Sequence, residues 1–501
     1  MMTMGQTVVH KIKRLMILMA LPRVILPVFV VIIFASTLTY LMWANPASVV
    51  SGDQYMVQPV GVMKGRVQER TRFTKNHLVE NGYGAWIDGR DIEVMSAIHD
   101  IHYSNTSSTR IVLPSFLRHS KERDFVCCFH TSLHSDEYYQ VQSSLDFIDL
   151  RFIVNFQNAA FECLLDNSMT DQNRKFKYVA FAPESCEKNV SSSVRVVYPR
   201  LRSWEFAVCT KVAYGRLDPA RLVEWFEFLK WVGCSKVLTF YNNVHPDSMK
   251  VFLYYQSTGL LDFINYRPLS LKGATETKFT ENNSQTRQAR QDKTLVVRDC
   301  QYRLGGYDFV MTVDFDELPV PVRPFGSLNW VFQDLLLNNT DAGAFRMDPV
   351  LLPPEWKSSR SNLFHWQFSA GTYITPYCRK WVYIPKRTWL AATHENVPKN
   401  GYKKYVIPNS ALYFLHFRSC KPDWLGVPCQ NLTQTVKNLH VLDRFSGMMY
   451  LSMNKLPLEE LIPDTNYVNF IRSNMKSSAA IRKRNFEIDT QNDPFLTDQT
   501  R

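Results

Sequence analysis

Apolar and polar positions along the chain fall into distinct stretches. Near the start, residues 24–43 (VILPVFVVIIFASTLTYLMW) hold no charged side chain. At about 1.5 Å per residue, about 20 apolar residues cross a hydrocarbon core of roughly 30 Å. A single N-terminal transmembrane helix is therefore expected there. Lys11, Lys13, Arg14 and Arg23 precede it, and no acid occurs before Asp53. This excess of cations puts residues 1–23 in the cytoplasm and the remainder beyond the membrane. A cleaved signal peptide is the competing reading, with small residues available in WANPASVVSG. Its apolar core would be shorter, roughly 7–15 residues. Residues 44–120 read as a stem. DFVCCFH, LDFIDLRFIVNF and VRVVYP look like short strands and predict a small β-rich region over residues 121–200.

From residue 201 to 450 the pattern changes. WEFAVCTKVAYG (204–215) is a strand by its β-branched, aromatic and apolar content. A helix follows in LDPARLVEWFEFLKWVG, with Asp218 as N-cap and Pro219 at the first helical position. Leu222, Trp225, Phe226, Leu229 and Val232 give it an apolar face, and Gly233 ends it. SKVLTFYNN predicts a strand, HPDSMKVFLYYQSTG a helix and LLDFINYRP a strand. After a polar loop at 273–285 come a helix around TRQARQDKTLVVRDCQYRLG and the strand YDFVMTV. Alternating strands and helices imply right-handed βαβ units, hence an α/β domain with a mostly parallel sheet flanked by helices. Residues 451–501 are left as a C-terminal extension.

The last of these strands runs into Asp314, Phe315, Asp316 and Glu317. In open α/β sheets ligands bind at the carboxyl ends of strands. Residues i and i+2 of extended chain project to the same side, so Asp314 and Asp316 would repel each other unless a cation intervened. Mn²⁺ or Mg²⁺ accepts such oxygen ligands together with diphosphate oxygens. Such an ion would stabilise a departing nucleotide. A solvated turn is the plain alternative. An Asp-x-Asp phosphatase of the haloacid-dehalogenase type is another, but Leu318 stands where its pattern has Thr or Val. The later acids Asp334, Asp341, Asp348 and Asp423 are also isolated.

Composition changes this picture little. Hydrophobic residues at 45% and charged residues at 21% are ordinary for a globular chain, and no low-complexity segment or internal repeat occurs. The net charge of +12 comes from dispersed Lys and Arg. No nucleic-acid-binding signature has its expected spacing, so a solvated basic surface is favoured and no nucleic-acid partner is expected. Some of that charge could attract anionic nucleotide sugars. The 10 cysteines all follow the apolar run, from Cys127 to Cys429. No Cys-x-x-Cys pair suggests a zinc ribbon, and the setting suits disulfides. Cys420 with Cys429 is the shortest-loop guess. The N-glycosylation sequons at Asn105, Asn189, Asn282, Asn338 and Asn431 also follow that run. The whole layout is that of a single-pass type II Golgi membrane protein with a lumenal body.

VEWFEFLKWVGCSKVLTFYNN, RDCQYRLGGYDFVMTVDFDELPVP, KWVYIPKRTWLAATHENV and LYFLHFRSC occur in that order. Together, over roughly residues 200 to 425, they resemble glycosyltransferase family 92. The resemblance implies a GT-A fold, a divalent metal (usually Mn²⁺) and inversion at the sugar. It also implies β-1,4 transfer of galactose from UDP-galactose to a glycan acceptor. Carried onto this chain, the metal motif falls on Asp314 and Asp316, and two His-bearing motifs fall on His394 and His416. One of these imidazoles is expected to bind the metal. Arg418 could meet the diphosphate. Tyr241 and Asn243 end a strand at a nucleotide-sugar-binding position, where Asn242 replaces the Asp common in the family. Asp299 either contacts nucleotide or only orders its helix. The general base that inversion requires is not identified by sequence; Glu317 and Asp348 are the candidates. Trp356, Trp366, Trp381 and Trp389 could stack on sugars, although a core role is favoured. A catalytically inactive glycan-binding or scaffold protein of the same fold is the alternative reading.

Overall fold

The computed structural model describes residues 85–86, 92–103, 108–118, 125–132, 138–148, 156–166, 176–183, 185–186, 193–266, 293–322, 327–357, 363–373, 378–420, 433–437, 439 and 441–474. The chain divides into Met1–Gly61 and Val62–Arg501, and every described residue lies in the second unit. The expected anchor at 24–43, much of the stem, the loop 273–285 and four sequons (Asn105, Asn189, Asn282, Asn431) lie outside the described residues, as does Cys429. Among the described residues no helix is long and apolar enough to cross a membrane.

The first described part is a nine-stranded sheet. Its strands are β1 (Ala85–Trp86), β2 (Ile92–Val94), β3 (Ala97–His99), β4 (Ser108–Arg118), β5 (Phe125–His130), β6 (Tyr139–Ile148), β7 (Phe156–Asp166), β8 (Tyr178–Pro183) and β9 (Val194–Val197). Disulfides Cys127–Cys163 and Cys128–Cys186 tie it together.

The alternating pattern of the next segment becomes a seven-stranded sheet with apolar side chains on both faces. Its first half comprises β10 (Arg202–Gly215), α1 (Pro219–Trp231), β11 (Cys234–Val244), α2 (Pro246–Ser257), β12 (Leu261–Asn265), α3 (Lys293–Arg303) and β13 (Tyr307–Thr312). β10 is parallel to β11 and β13, and β11 to β12, as the βαβ reading expects. Next come β14 (Glu317–Pro321), α4 (Leu328–Asn338), β15 (Ala342–Met347), β16 (Pro349–Leu351), β17 (Ala370–Tyr373) and β18 (Lys380–Tyr383). β19 (Thr388–Ala391), β20 (Asn396–Pro398), β21 (Lys403–Val406), β22 (Leu412–His416) and β23 (Val436–Lys437) complete the strands. β18 is antiparallel to both β13 and β15, while β15 is parallel to β21. A separate five-stranded sheet has the order β14-β22-β16-β17-β23.

Period-two alternation sorts the core. Phe309, Met311 and Val313 join one cluster, with Phe206 and Val208, while Val310, Ala207 and Cys209 join the cluster on the other face. α1 fills the first face. Asp218 accepts from the Ala220 and Arg221 amides as its N-cap, and Trp225, Phe226, Phe228 and Leu229 are fully buried. Burying each such side chain stabilises by about 1.5–3 kcal/mol. α3 fills the second face and is buried from Thr294 through Tyr302. A helix hidden all round lies between two layers. Here these are the main sheet, through the disulfide Cys209–Cys300, and the N-terminal sheet, through Met95, Phe116 and Ile98.

The core continues past residue 450. Helices α5 (Val441–Met453), α6 (Leu458–Leu461) and α7 (Thr465–Ser473) supply Met453, Leu461, Val468 and Ile471 to the same cluster as α1. Two buried glutamates of α1 fix them. Glu227 accepts from Tyr255 and Ser452, and Glu224 accepts from Tyr467 Oη at 2.5 Å and from the Phe364 and His365 amides at 2.7 and 3.0 Å.

Candidate active site

β13 ends at Thr312, and the chain then turns through Phe315 and Asp316 instead of staying extended as the sequence reading expects, the Glu317 amide donating to the Asp314 carbonyl at 3.1 Å. Phe315 packs against Trp225 and Phe252 at ring distances of 4.9 and 5.6 Å. One aromatic therefore anchors the turn to the core. Glu317 opens the buried strand β14, whose antiparallel register sets Glu317 opposite His416 of β22. The Phe417 amide donates to the Asp316 carbonyl at 2.8 Å, and Trp225 Nε1 donates to the Glu317 carbonyl at 2.9 Å.

The acids are treated differently. Lys211 Nζ lies 2.7 Å from Asp314, and Lys380 Nζ lies 2.8 Å from it. Lys380 also reaches both Glu317 oxygens at 2.6 Å, and Glu317 accepts from the Asp314 amide at 2.7 Å. Burial alone would raise the pKa of Asp314; Lys211, Lys380 and then Lys293 override it and hold the carboxyl well below its usual range. Lys211 stands at a bulge of β10 with a left-handed φ of 63°. Burial lowers its pKa to about 8, against the pull of Asp314. For Lys380, Asp314 and Glu317 outweigh burial and raise it.

Asp316, Glu317 and His416 form the other half of the site, each offering a ligand atom within 4.8 Å of the others. His416 Nε2 is 3.5 Å from Asp316 and 3.8 Å from Glu317. His416 and Glu317 are buried, while the Asp316 side chain is 39% exposed, so the cluster has one open side. Two carboxylate oxygens and an imidazole nitrogen suit Mn²⁺ or Mg²⁺. Burial would raise the pKa of Asp316, but the neighbouring His416 keeps it lowered.

Residues 205–448, which contain every one of these side chains, match the family model of glycosyltransferase family 92. This domain belongs to glycosyltransferase family 92. No curated protein matches the chain. Among solved structures it is similar to a protein described as a glucose-1-phosphate thymidylyltransferase from Bacillus anthracis, in complex with a sucrose. That likeness has 8% identity and a TM-score of 0.19, covering 37% of this chain and 72% of the other. It is also similar to residues 1–349 of TarS from S. aureus, at 8% identity and a TM-score of 0.23, covering 51% and 73%. Likeness at this level says nothing about activity.

In the family 92 domain the remaining sequence-predicted residues are scattered around the cluster. His394 sits on an exposed turn after β19, its Nδ1 3.0 Å from the Arg379 carbonyl. The surrounding protein, and then the charge of Lys380, push its pKa down to about 4. The cluster within ligand distance includes His416 and not His394. Arg418 is half-buried, and its charge reaches the buried Cys378 thiol together with those of Glu317 and Lys380. Tyr241 and Asn243 lie near the end of β11 at the carboxyl edge of the sheet, with Asn243 exposed at a bulge with a left-handed φ of 47°. Asn242 donates from Nδ2 to the Tyr266 carbonyl at 2.6 Å, a bond that the ionised Asp common at that position could not give. Asp299 is fully buried at the N-terminal sheet, where Ser96 donates to it and Arg303 pairs with it at 2.7 Å. These contacts order α3 against the N-terminal sheet. Asp348 pairs with Arg346 at 2.9 Å and is 40% exposed. Asn338 is exposed at the end of α4.

Sequence reasoning missed Lys211 and Lys380. Each is a lysine inside an apolar strand, TKVAYG and RKWVYI, and that anomaly was the available signal.

Proposed function

We propose that the chain is an inverting, metal-dependent glycosyltransferase of GT-A type that transfers galactose from UDP-galactose to a glycan hydroxyl in β-1,4 linkage. The observation that carries the metal-dependent part is the Asp316–Glu317–His416 cluster at the carboxyl end of β13 in a family 92 domain. Donor and linkage rest on the family resemblance alone. Asp316 and His416 would hold Mn²⁺ or Mg²⁺, with Glu317 shared between the ion and Lys380. The bound ion would supply charge for the donor diphosphate and the departing nucleotide. Asp314, neutralised by Lys211 and Lys380, keeps the carboxylate wall from repelling an anionic donor. Arg418 would pair with a phosphate oxygen.

Asp348 is the better of the two base candidates. Glu317 is buried and held by Lys380 and the Asp314 amide, whereas Asp348, paired with Arg346, is 40% exposed. Asp348 would take the acceptor hydroxyl proton as the new bond forms. The apolar run at 24–43, the sequons and the disulfides among the described residues support a Golgi type II placement.

The test is donor hydrolysis and transfer by purified protein across a panel of nucleotide sugars, with and without Mn²⁺. UDP-galactose should be consumed only with metal, and Asp316→Asn should lose activity and the Mn²⁺-induced rise in melting temperature together. Turnover unchanged by chelator would sink the metal reading. No turnover with any donor, alongside glycan binding, would favour a binding protein.

A further inference from the structure

A polar cavity of about 70 Å³ lies between the N-terminal sheet and the family 92 domain. It shares no lining residue with the acid–histidine cluster. Its walls include Arg110, Arg298, Lys399, Asp100, Asp146 and Trp389. Both arginines are paired: Arg110 with Asp100 and, behind the wall, with Glu162 at 2.5 Å, and Arg298 with Asp146. Among the described residues the Lys399 ammonium has neither a hydrogen bond nor an ion pair. Burial, assisted by Arg110 and Arg298 against Asp100, lowers its pKa. An anion beside it would reverse that effect. Trp389 belongs to the cavity wall through its carbonyl, which accepts from Arg298 and Gln301, and its side chain is 39% exposed.

We propose that this cavity binds an acidic sugar residue of a glycan, its carboxylate or sulfate ester on Lys399 and its ring against Trp389. The ammonium of Lys399, left without a partner while both arginines are paired, selects an anion. The volume accepts a charged group but not a whole hexose, so the ring must stay at the mouth, where an aromatic face is available. Aromatic side chains with a few convergent polar groups are the usual equipment of such pockets. Trp389 precedes His394 by five positions, so at most about 18 Å of chain separates this site from the rim of the proposed active site.

Calorimetric titration of the full chain, without donor, tests this independently of the transfer reaction. The ligands are methyl glucuronide, glucose 6-sulfate, methyl glucoside and sodium sulfate. Both acidic sugars should bind, with the neutral sugar and the bare ion weaker by about tenfold or more. Lys399→Ala and Trp389→Ala should each weaken binding by a similar factor, while Lys399→Arg and Asp316→Asn should retain it. Equal binding of sulfate would reduce the site to a bare-anion site. Equal binding of methyl glucoside, unchanged binding by Lys399→Ala, or no binding to the wild type would overturn the proposal.

Discussion

Replacing Lys380 by methionine keeps side-chain length and removes one charge. The lost ammonium lies 2.6 Å from both Glu317 oxygens and 2.8 Å from Asp314. Lysine and glutamate are each 1% exposed, so water has little access to take its place. Glu317 would keep the Asp314 amide at 2.7 Å, with His416 no nearer than 3.8 Å. Removing one partner of a buried pair costs about 3–5 kcal/mol because the other charge is stranded. At about 2–4 °C per kcal/mol for a domain of a few hundred residues, the melting temperature should fall by about 6–20 °C. The fall should be smaller in millimolar Mn²⁺, since a dication held by Asp316 and His416 would neutralise Glu317 in place of the lysine. The double variant Lys380→Met/Glu317→Gln should melt above the single one, with a coupling of about 0.5–3 kcal/mol. Scanning calorimetry of the four proteins, with and without metal, gives all these quantities. A loss below about 1 kcal/mol, or strict additivity in the double variant, would refute the claim that the lysine holds the acidic wall together.

Other perturbations test the frame around the site. Burial and Asp146 raise the pKa of Glu162 to about 7, against Arg110 and Arg298. The folded chain therefore keeps a proton that the unfolded chain has already released, and stability should fall as pH rises from about 4.5 to about 7. Melting at pH 5 and 7.5 should show a loss of up to about 3 kcal/mol that Glu162→Gln lacks; equal slopes would reject this. Glu224 accepts four hydrogen bonds in the core, so Glu224→Ala should cost more than about 3 kcal/mol in urea unfolding. Tyr467→Phe, which removes one of them, should cost about 1–2 kcal/mol. An added Cβ on Gly306 would lie 1.8 Å from the Arg200 carbonyl oxygen. Gly306→Ala should then cost about 1–3 kcal/mol or more by overpacking. At Gly215 the space is open and only its positive φ resists a side chain, so Gly215→Ala should cost about 1–2 kcal/mol.

Local order was readable because it depends on neighbours in sequence. The strand at 204–215, the Asp218 cap and the alternation of YDFVMTV are all short-range patterns, and they placed Asp314 and Asp316 at a strand end. The pairings that define the site are not short-range. Lys211 is 103 residues from Asp314, and Lys380 is 66. Nothing local records that β18 would enter the sheet antiparallel beside β13 and bring Lys380 to Glu317. Asp299 was legible as a helical acid, but its partner Ser96 lies 203 residues away, between β2 and β3 of the N-terminal sheet. The same holds for the leucines after residue 455, which look like a tail in sequence and are core in space.

The pairing of Glu317 with His416 has a consequence for biosynthesis. The two residues face each other across an antiparallel pair of strands. A slip of one position would turn His416 to the opposite face and present Leu415 or Phe417 in its place. Any ion held by Asp316, Glu317 and His416 can therefore be captured only by chains that have aligned these distant strands correctly. Once captured, it would pin that alignment. Metal loading would then act as a proofreading step, separating correctly assembled molecules from misaligned ones before either meets a substrate.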